Sequence, residues 1–393
     1  MSSPETKRKR TATSTAMNKK PSPSPQLPSL LSLPHHLLLT CIARISRLYY
    51  PTLSLVSKTF RFLVASPELY KARSVLGQTH SCLYLCMRFY RDPNPIWFTL
   101  CLKPDQTLVN YNSNDKKKKK SSAYVLAKVS IPDSTLNVSG LVSVGSCIYN
   151  IGGRRTPFLH EVSVLDCGSY TWRERASLPV EVTSLTASVL DGKIYVAGCY
   201  DDEEDYSNNC LQVLDIETGI WDPETVPCLE TKEIFRSSKS LSFDGKFHVR
   251  TGLEVVAYSP SDGKWNLAPD AMRKFMMYPD SYCVIGDVLY SVYKGVFRWY
   301  DTKVDKWRNL KGSGGGLPDF TDNHRVKLAD YGGKMAILWD EFVNDDSEKM
   351  IWCAEVELVR RKRNEIWGIV KWFDHVLTLP LGYDFVKLLA VTV

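Results

Sequence analysis

The sequence predicts a multidomain chain in which a small all-α module precedes an all-β six-bladed propeller. Three observations carry this. Apolar residues between Leu27 and Leu76 recur at helical spacing. After residue 80, a glycine turn followed by a β-run returns every 42 to 53 residues. The β-runs left over at the two ends supply one further blade. The 393 residues have room for both parts, and 44% hydrophobic with 24% charged residues is ordinary globular usage, so the chain as a whole is not disordered.

Residues 1–25 are the exception. They are rich in Ser, Thr, Pro and Lys and read as a disordered basic tail. Lys7-Arg8-Lys9-Arg10 has the composition of a nuclear address, a solvated tail being the plain alternative, and the acid-poor start shares features with a transit peptide. A second basic run is Lys116 to Lys120. With both set aside, the formal net charge of +7 turns slightly negative, which argues against a nucleic-acid groove in the folded body. The 11 cysteines are odd in number and scattered, with no CxxC pair. They predict a reduced protein of the cytoplasm and/or nucleus, with neither a disulfide framework nor a zinc site. Cys82 and Cys86, four apart in an expected strand, are expected to pack in the core. Asn137-Val138-Ser139 matches a glycosylation acceptor, without meaning in that compartment. The longest uncharged stretch, Pro21 to Ala43, is broken by five prolines and is no spanning helix. No apolar segment follows the basic start as a signal peptide requires.

The helical module covers residues 26–76. Leu33, Leu37, Leu38, Ile42 and Ile45 form one apolar stripe; Leu53, Val56, Phe60, Leu63 and Val64 form a second. Pro51 suits a first helical turn, where its missing N–H costs nothing. Ser66-Pro67-Glu68 reads as a cap, a first helical position and an acid near the positive dipole end. So small a unit has little core of its own, and its stripes would bury more surface against a partner.

The run Leu33-Pro34-His35-His36-Leu37 through Ile42-Ala43-Arg44-Ile45, then Leu53-Ser54-Leu55-Val56-Ser57-Lys58-Thr59-Phe60-Arg61-Phe62-Leu63 and Ser66-Pro67-Glu68-Leu69, resembles an F-box. The resemblance implies a Skp-type adaptor as partner and, through it, a cullin–RING ubiquitin ligase. It also implies an adaptor face made of Leu33, Pro34, Ile42, Leu53, Val56, Ser57, Lys58 and Leu63. His35-His36 stands where the family usually carries an acidic residue. From the residues alone, these apolar side chains could instead pack the helices on one another, but Pro34 and Ser57-Lys58 have no evident core role.

In the second part, turns at Gly145-Ser146, Asp191-Gly192, Asp244-Gly245, Gly286-Asp287 and Gly332-Gly333 each open a β-run. That run carries Tyr149, Tyr195, His248, Tyr290 or Ala336 at matching positions, so His248 reads as a packing residue. A further strand and turn lead to Trp172, Trp221, Trp265 and Trp307 in four of the units. Such a period of short strands predicts one four-stranded blade per repeat, with paired glycines allowing close backbone packing and Trp filling the gap between blades. The unit over 145–172 resembles a kelch repeat; the later units lose the second glycine. Before the five repeats lie runs at 81–89, 96–102 and 123–129, and after them one at 385–393. Joined, they make a sixth blade with the C-terminal strand innermost, which pins the ring shut. The propeller would span 80–393. An F-box with such blades resembles the plant F-box/kelch-repeat family.

That resemblance implies a non-catalytic subunit that recognises substrates for an SCF-type cullin–RING E3 ubiquitin ligase, its propeller holding a target protein of unknown identity. Two other readings stand beside it: a kelch interaction scaffold outside any ligase, and a propeller oxidase or glycan-binding module. The oxidase needs His and Tyr ligands converging on a metal. The seven histidines are scattered, and HExxH, GxSxG and Walker patterns are missing. No cofactor is expected. Gly312-Ser313-Gly314-Gly315-Gly316 reads as a flexible loop. Asp201, Asp202, Glu203, Glu204 and Asp205, between strands 2 and 3 of the third blade, are the candidate target-binding residues, with a solvated loop as the alternative. Arg360-Arg361-Lys362-Arg363 is expected in a turn, neutralised by Glu355, Glu357 and Glu365.

Overall fold

The computed structural model describes residues 32–393 except 91, 93, 104–122, 130, 132–135, 154–158, 202–206, 237, 275, 278–280, 314–315, 320–324, 344–347 and 362–363. The chain divides into two units between Leu38 and Leu39. The basic run Lys7–Arg10 and the lysine run 116–120 lie outside the described residues.

Four short helices come first: α1 (His35–Ala43), α2 (Tyr50–Val56), α3 (Lys58–Val64) and α4 (Pro67–Val75). Their ends are written in the sequence. Pro51 occupies the first turn of α2. Ser57 caps α3 by accepting the Phe60 N–H at 3.2 Å, and Ser66 caps α4 by accepting that of Leu69 at 3.3 Å. Ser57 therefore has a local structural role that its place in the motif does not suggest.

Residues 81–393 form a six-bladed propeller, one sheet per blade. Blade one takes the last strand of the chain, Tyr383–Thr392, beside Ser81–Phe89, Ile96–Leu102 and Tyr124–Val129. The pairing of the first two runs from Ser81 opposite Thr392 to Phe89 opposite Tyr383. The ends also exchange backbone bonds, His80 N–H to the Val393 carbonyl at 3.1 Å and the reverse at 3.0 Å. This is the closure that the strand count predicts. Asp191-Gly192 and Asp244-Gly245 take positive φ at both residues, 48° and 75°, then 54° and 67°, the conformation that lets a two-residue hairpin follow the strand twist.

Each of the six apolar clusters lies between two successive blades. The repeat tryptophans serve these seams. Trp221 donates its indole N–H to the Ala176 carbonyl, which lies just after the preceding blade, at 2.9 Å. Trp265 lies 5.9 Å from Phe235 and 5.4 Å from Tyr258. Gly152, at φ 83°, is the close approach expected of the paired glycines: a Cβ there would meet the Leu185 side chain of the next blade at 2.8 Å. Cys82 and Cys86 are buried, and burial pushes the Cys86 thiol up to about 12.

Two expectations need correction. Lys311–Ser313 forms a short parallel strand against Trp367–Ile369, so Gly312 and Ser313 are not loop, and blade six has five strands. The short strand covers the edge of Glu365–Pro380 at Trp367–Ile369. Secondly, Arg360 and Arg361 end the strand Glu348–Arg361 instead of sitting in a turn. The glutamates near them pair with lysines: Glu355 with Lys334 at 2.5 Å, Glu365 with Lys311 at 2.6 Å and Glu357 with Lys371. Arg361 lies over the Trp367 ring at 4.3 Å.

Deleting residues 383–393 strips the inner edge of Ser81–Phe89; the truncated chain should aggregate on size-exclusion chromatography and lose a single cooperative melting transition. His248 is buried beside Phe243, and burial lowers its pKa from 6.5 to about 4. The unfolded chain takes up a proton that the folded chain refuses, so stability should fall as pH drops from about 6.5 towards 4, by up to roughly 3 kcal/mol from this group. His248→Phe should flatten that part of a pH series of urea melts.

Candidate functional site

The eight residues of the expected adaptor face do not share one environment. Leu33 and Pro34 are exposed in the first unit, ahead of α1, where the Pro34 carbonyl accepts the N–H groups of Leu37 and Leu38 at 2.9 and 3.1 Å. Lys58 is exposed, Val56 is 64% exposed, and Leu53 and Ser57 are half-buried. Ile42 and Leu63 are buried in the helical packing, so for these two the alternative of helix packing describes what is seen. Two large apolar side chains outside the residues that the motif picks out are more open: Leu55 at 72% and Phe62 at 78% exposed. Leu55 shares α2 with the buried Tyr50, and Phe62 shares α3 with the buried Phe60 and Leu63. With Val56 they leave α2 and α3 carrying apolar surface that none of the described residues covers.

Within the second unit the helices are fastened to the propeller by Arg47, on the 3-10 turn Arg47–Tyr49, which is only 8% exposed. Its Nη2 donates to the Cys167 carbonyl at 2.5 Å and to the hydroxyls of Tyr84 and Tyr170 at 2.9 Å each. The guanidinium also lies 5.2 Å from the Tyr70 ring centre and 5.7 Å from that of Tyr170. Tyr84 belongs to blade one, Cys167 and Tyr170 to a turn of blade two, and Tyr70 to α4. No carboxylate is among these partners. Burial raises the pKa of Tyr84, with Arg47 opposing, so the phenol is a neutral dipole. Against the Cys167–Gly168 turn Tyr70 packs so tightly that a Cβ on Gly168 would sit 3.0 Å from its ring. A second buried arginine, Arg73, gathers the carbonyls of Ala43, Ile45 and Gln78 at 2.9, 2.8 and 2.5 Å and the Tyr50 hydroxyl at 3.1 Å. Neither arginine stands out in the sequence.

On the propeller, Asp201 ends the strand Lys193–Asp201, and 202–205 lie outside the described residues. Among the described residues no cluster of His, Cys, Asp or Glu has an arrangement that could hold a metal ion, and no helix is long and apolar enough to cross a membrane.

Comparison with known proteins adds two kinds of match. The F-box domain family matches residues 30–72, and the FKB95 kelch-repeats domain family matches residues 97–377. The chain is 54% identical over 372 residues to the F-box/kelch-repeat protein At5g51250 of Arabidopsis thaliana, covering 92% of this chain and 99% of the relative. It is 48% identical over 407 residues to the F-box/kelch-repeat protein At4g39550 of the same plant, covering all of both.

Arg47→Met keeps volume but removes the donors at the junction. It should destabilise the chain by about 2–3 kcal/mol, because the Cys167 carbonyl and two phenols lose their shared partner in a buried site. Arg47→Lys should recover only part of this, since an ammonium cannot reproduce the planar fork. Urea melts followed by tryptophan fluorescence measure both.

Proposed function

Because this chain belongs to the plant F-box/kelch-repeat family, we propose that it is the substrate-recognition subunit of an SCF-type cullin–RING ubiquitin ligase. The helices would dock on a Skp-type adaptor and the propeller would hold a target protein. The observation that carries this is the apolar surface left open on α2 and α3 by Leu55, Val56 and Phe62, on helices that bury Tyr50, Phe60 and Leu63. Leu33, Pro34, Leu53, Ser57 and Lys58 belong to the same proposed adaptor face, whereas Ile42 and Leu63 support it from within. An apolar face on short helices is the surface a partner helix bundle covers.

In this reading the protein breaks no bond itself. It works by proximity, converting an encounter between the target's lysines and the ligase into an intramolecular event at high effective concentration. The buried Arg47 contacts suit that role, since a fixed join wastes less of the gain than a loose one. Target recognition by the acidic run that begins at Asp201 and continues through Asp202, Glu203, Glu204 and Asp205 stays part of the proposal, and the cytoplasm and/or nucleus is the proposed place of action.

Capture of a purified Skp-type adaptor tests the reading. Wild-type protein should retain the adaptor. Leu55→Asp with Phe62→Asp should reduce capture by about tenfold or more, since two desolvated apolar anchors typically cost more than about 1.4 kcal/mol. Leu33→Ala with Pro34→Ala should do likewise. Both pairs are exposed, so the melting transition should stay in place. Undiminished capture by both variants would contradict the assigned face; no capture by the wild type would favour the scaffold reading.

A further inference from the structure

Two loops lie side by side where blades three and four meet: the hairpin turn 251–254 and the connection 228–236. They are braced against each other. The Glu233 carboxylate accepts the Leu253 N–H at 3.1 Å and the Thr251 hydroxyl, and the Glu254 carboxylate accepts the Thr231 hydroxyl. Both threonines are buried. Asn209, on the third strand of blade three, anchors the connection from behind. Its side-chain N–H donates to the Glu233 carbonyl at 2.8 Å, and its side-chain oxygen accepts the Phe235 N–H at 2.7 Å. These braced loops nevertheless hold Leu229 and Leu253 at 85% and 83% exposed, and Ile234 is exposed as well. The Leu253 N–H bonds the residue that precedes Ile234, and Leu229 stands two residues, at most about 7 Å of chain, from Thr231. The helices meet the propeller at Cys167 and Tyr170, in a turn between the third and fourth strands of blade two. Connections alternate between the two faces along a blade, so the three apolar residues open on the face away from the helices.

We propose that Leu229, Ile234 and Leu253 anchor the target protein, and that the segment they take is a short run of apolar residues flanked by lysine or arginine. The inference rests on the reading of the propeller as the part that holds the target, and it names the chemistry of that target. Leucines held in water add nothing to folding, whereas exposed apolar patches mark interaction sites. Loops already fixed by buried hydrogen bonds present such anchors with little left to order on binding, which favours affinity. Charge selects the flanks. Glu230 is exposed, Glu233 and Glu254 are half-buried, and the three outnumber Lys232 and Arg236 in the same loops. The hydrogen bond from Thr251 holds the Glu233 carboxyl below its usual range, so it stays ionised at neutral pH. The hairpin to which Asn209 belongs carries the acidic run Asp201–Asp205 in its sequence. A basic flank is drawn to this surface and an acidic one repelled. A second copy of the chain, meeting the patch with the same patch, would set like charges against each other.

Fluorescence anisotropy of the full chain with short labelled peptides tests the proposal. A peptide of leucines and lysines should bind, more weakly as salt rises. Replacing its lysines with glutamate, or its leucines with serine, should each weaken binding by about tenfold or more. On the protein, Leu229→Ser with Leu253→Ser should cost about the same factor and leave the melting transition in place, both side chains being exposed. Glu230→Lys should weaken binding of the lysine peptide severalfold. An affinity unchanged in the double serine variant would overturn the proposal. So would equal binding of the serine–lysine peptide, which would mean attraction by charge alone, or a preference for the glutamate peptide. Self-association of the wild type that the double serine variant loses, with no peptide bound, would give the patch to a second copy and overturn it too. Adaptor capture on the helices is measured separately: absent peptide binding with capture intact strikes this inference alone, and failed capture with peptide binding intact strikes the ligase reading alone.

Discussion

A single guanidinium, that of Arg47, ties three distant stretches of the chain together. A buried cation is costly unless it finds partners, and here Nη2 alone is served, without a carboxylate, by one carbonyl and two phenol oxygens, with aromatic faces alongside, while Nη1 is buried without a hydrogen-bond partner. Such a set works only when the 3-10 turn, α4 and the first two blades are all in place. If one partner shifts, the charge is left in a poor environment. Arg73 repeats the solution next door, holding the end of α1 and the segment that leads into blade one. Both arginines tie a helical segment to chain remote from it through Nη donors, and each keeps one buried N–H, Nη1 of Arg47 and Nε of Arg73, without a partner.

The ring has a matching constraint at its own ends. The last strand supplies the inner edge of blade one, and Arg325 ties it to blade six by bonds to Asp340, the Tyr383 carbonyl and Asp384 at 2.8, 2.6 and 2.8 Å. Asp340 is buried and also receives Lys349 and the Tyr383 hydroxyl, both at 3.2 Å. Closure and junction meet in blade one: the strand zipped by Tyr383–Thr392 is the strand that presents Tyr84 to Arg47. A propeller closed in this way offers a firm base for helices too small to stand alone.

Much of this architecture is legible in the sequence because it rests on local, repeated chemistry. Asp-Gly turns demand positive φ, tryptophans recur in four of the five repeats, and the three runs left at the start have one sensible partner in the run left at the end. His248 is readable as a packing residue from its place in the repeat alone. The junction is not legible, since a buried arginine paired with carbonyls and phenols has no spacing signature; its partners lie up to 123 residues away. The proposed adaptor face is only half legible. Matching a motif does not say which side of a two-turn helix faces in, so the motif groups Ile42 and Leu63 with surface residues and passes over Leu55 and Phe62.

The central claim is that α4 and the propeller open as one body, so that an adaptor on the helices stands at a fixed place relative to a target on the blades. Native-state hydrogen exchange on the full chain measures this most directly, because it reports the free energy at which each segment opens. The claim predicts that the α4 amides exchange only through openings as costly as those of Ser81–Phe89, and that Arg47→Met uncouples the two. Exchange of α4 through a separate, much cheaper opening in the unmodified protein would contradict it.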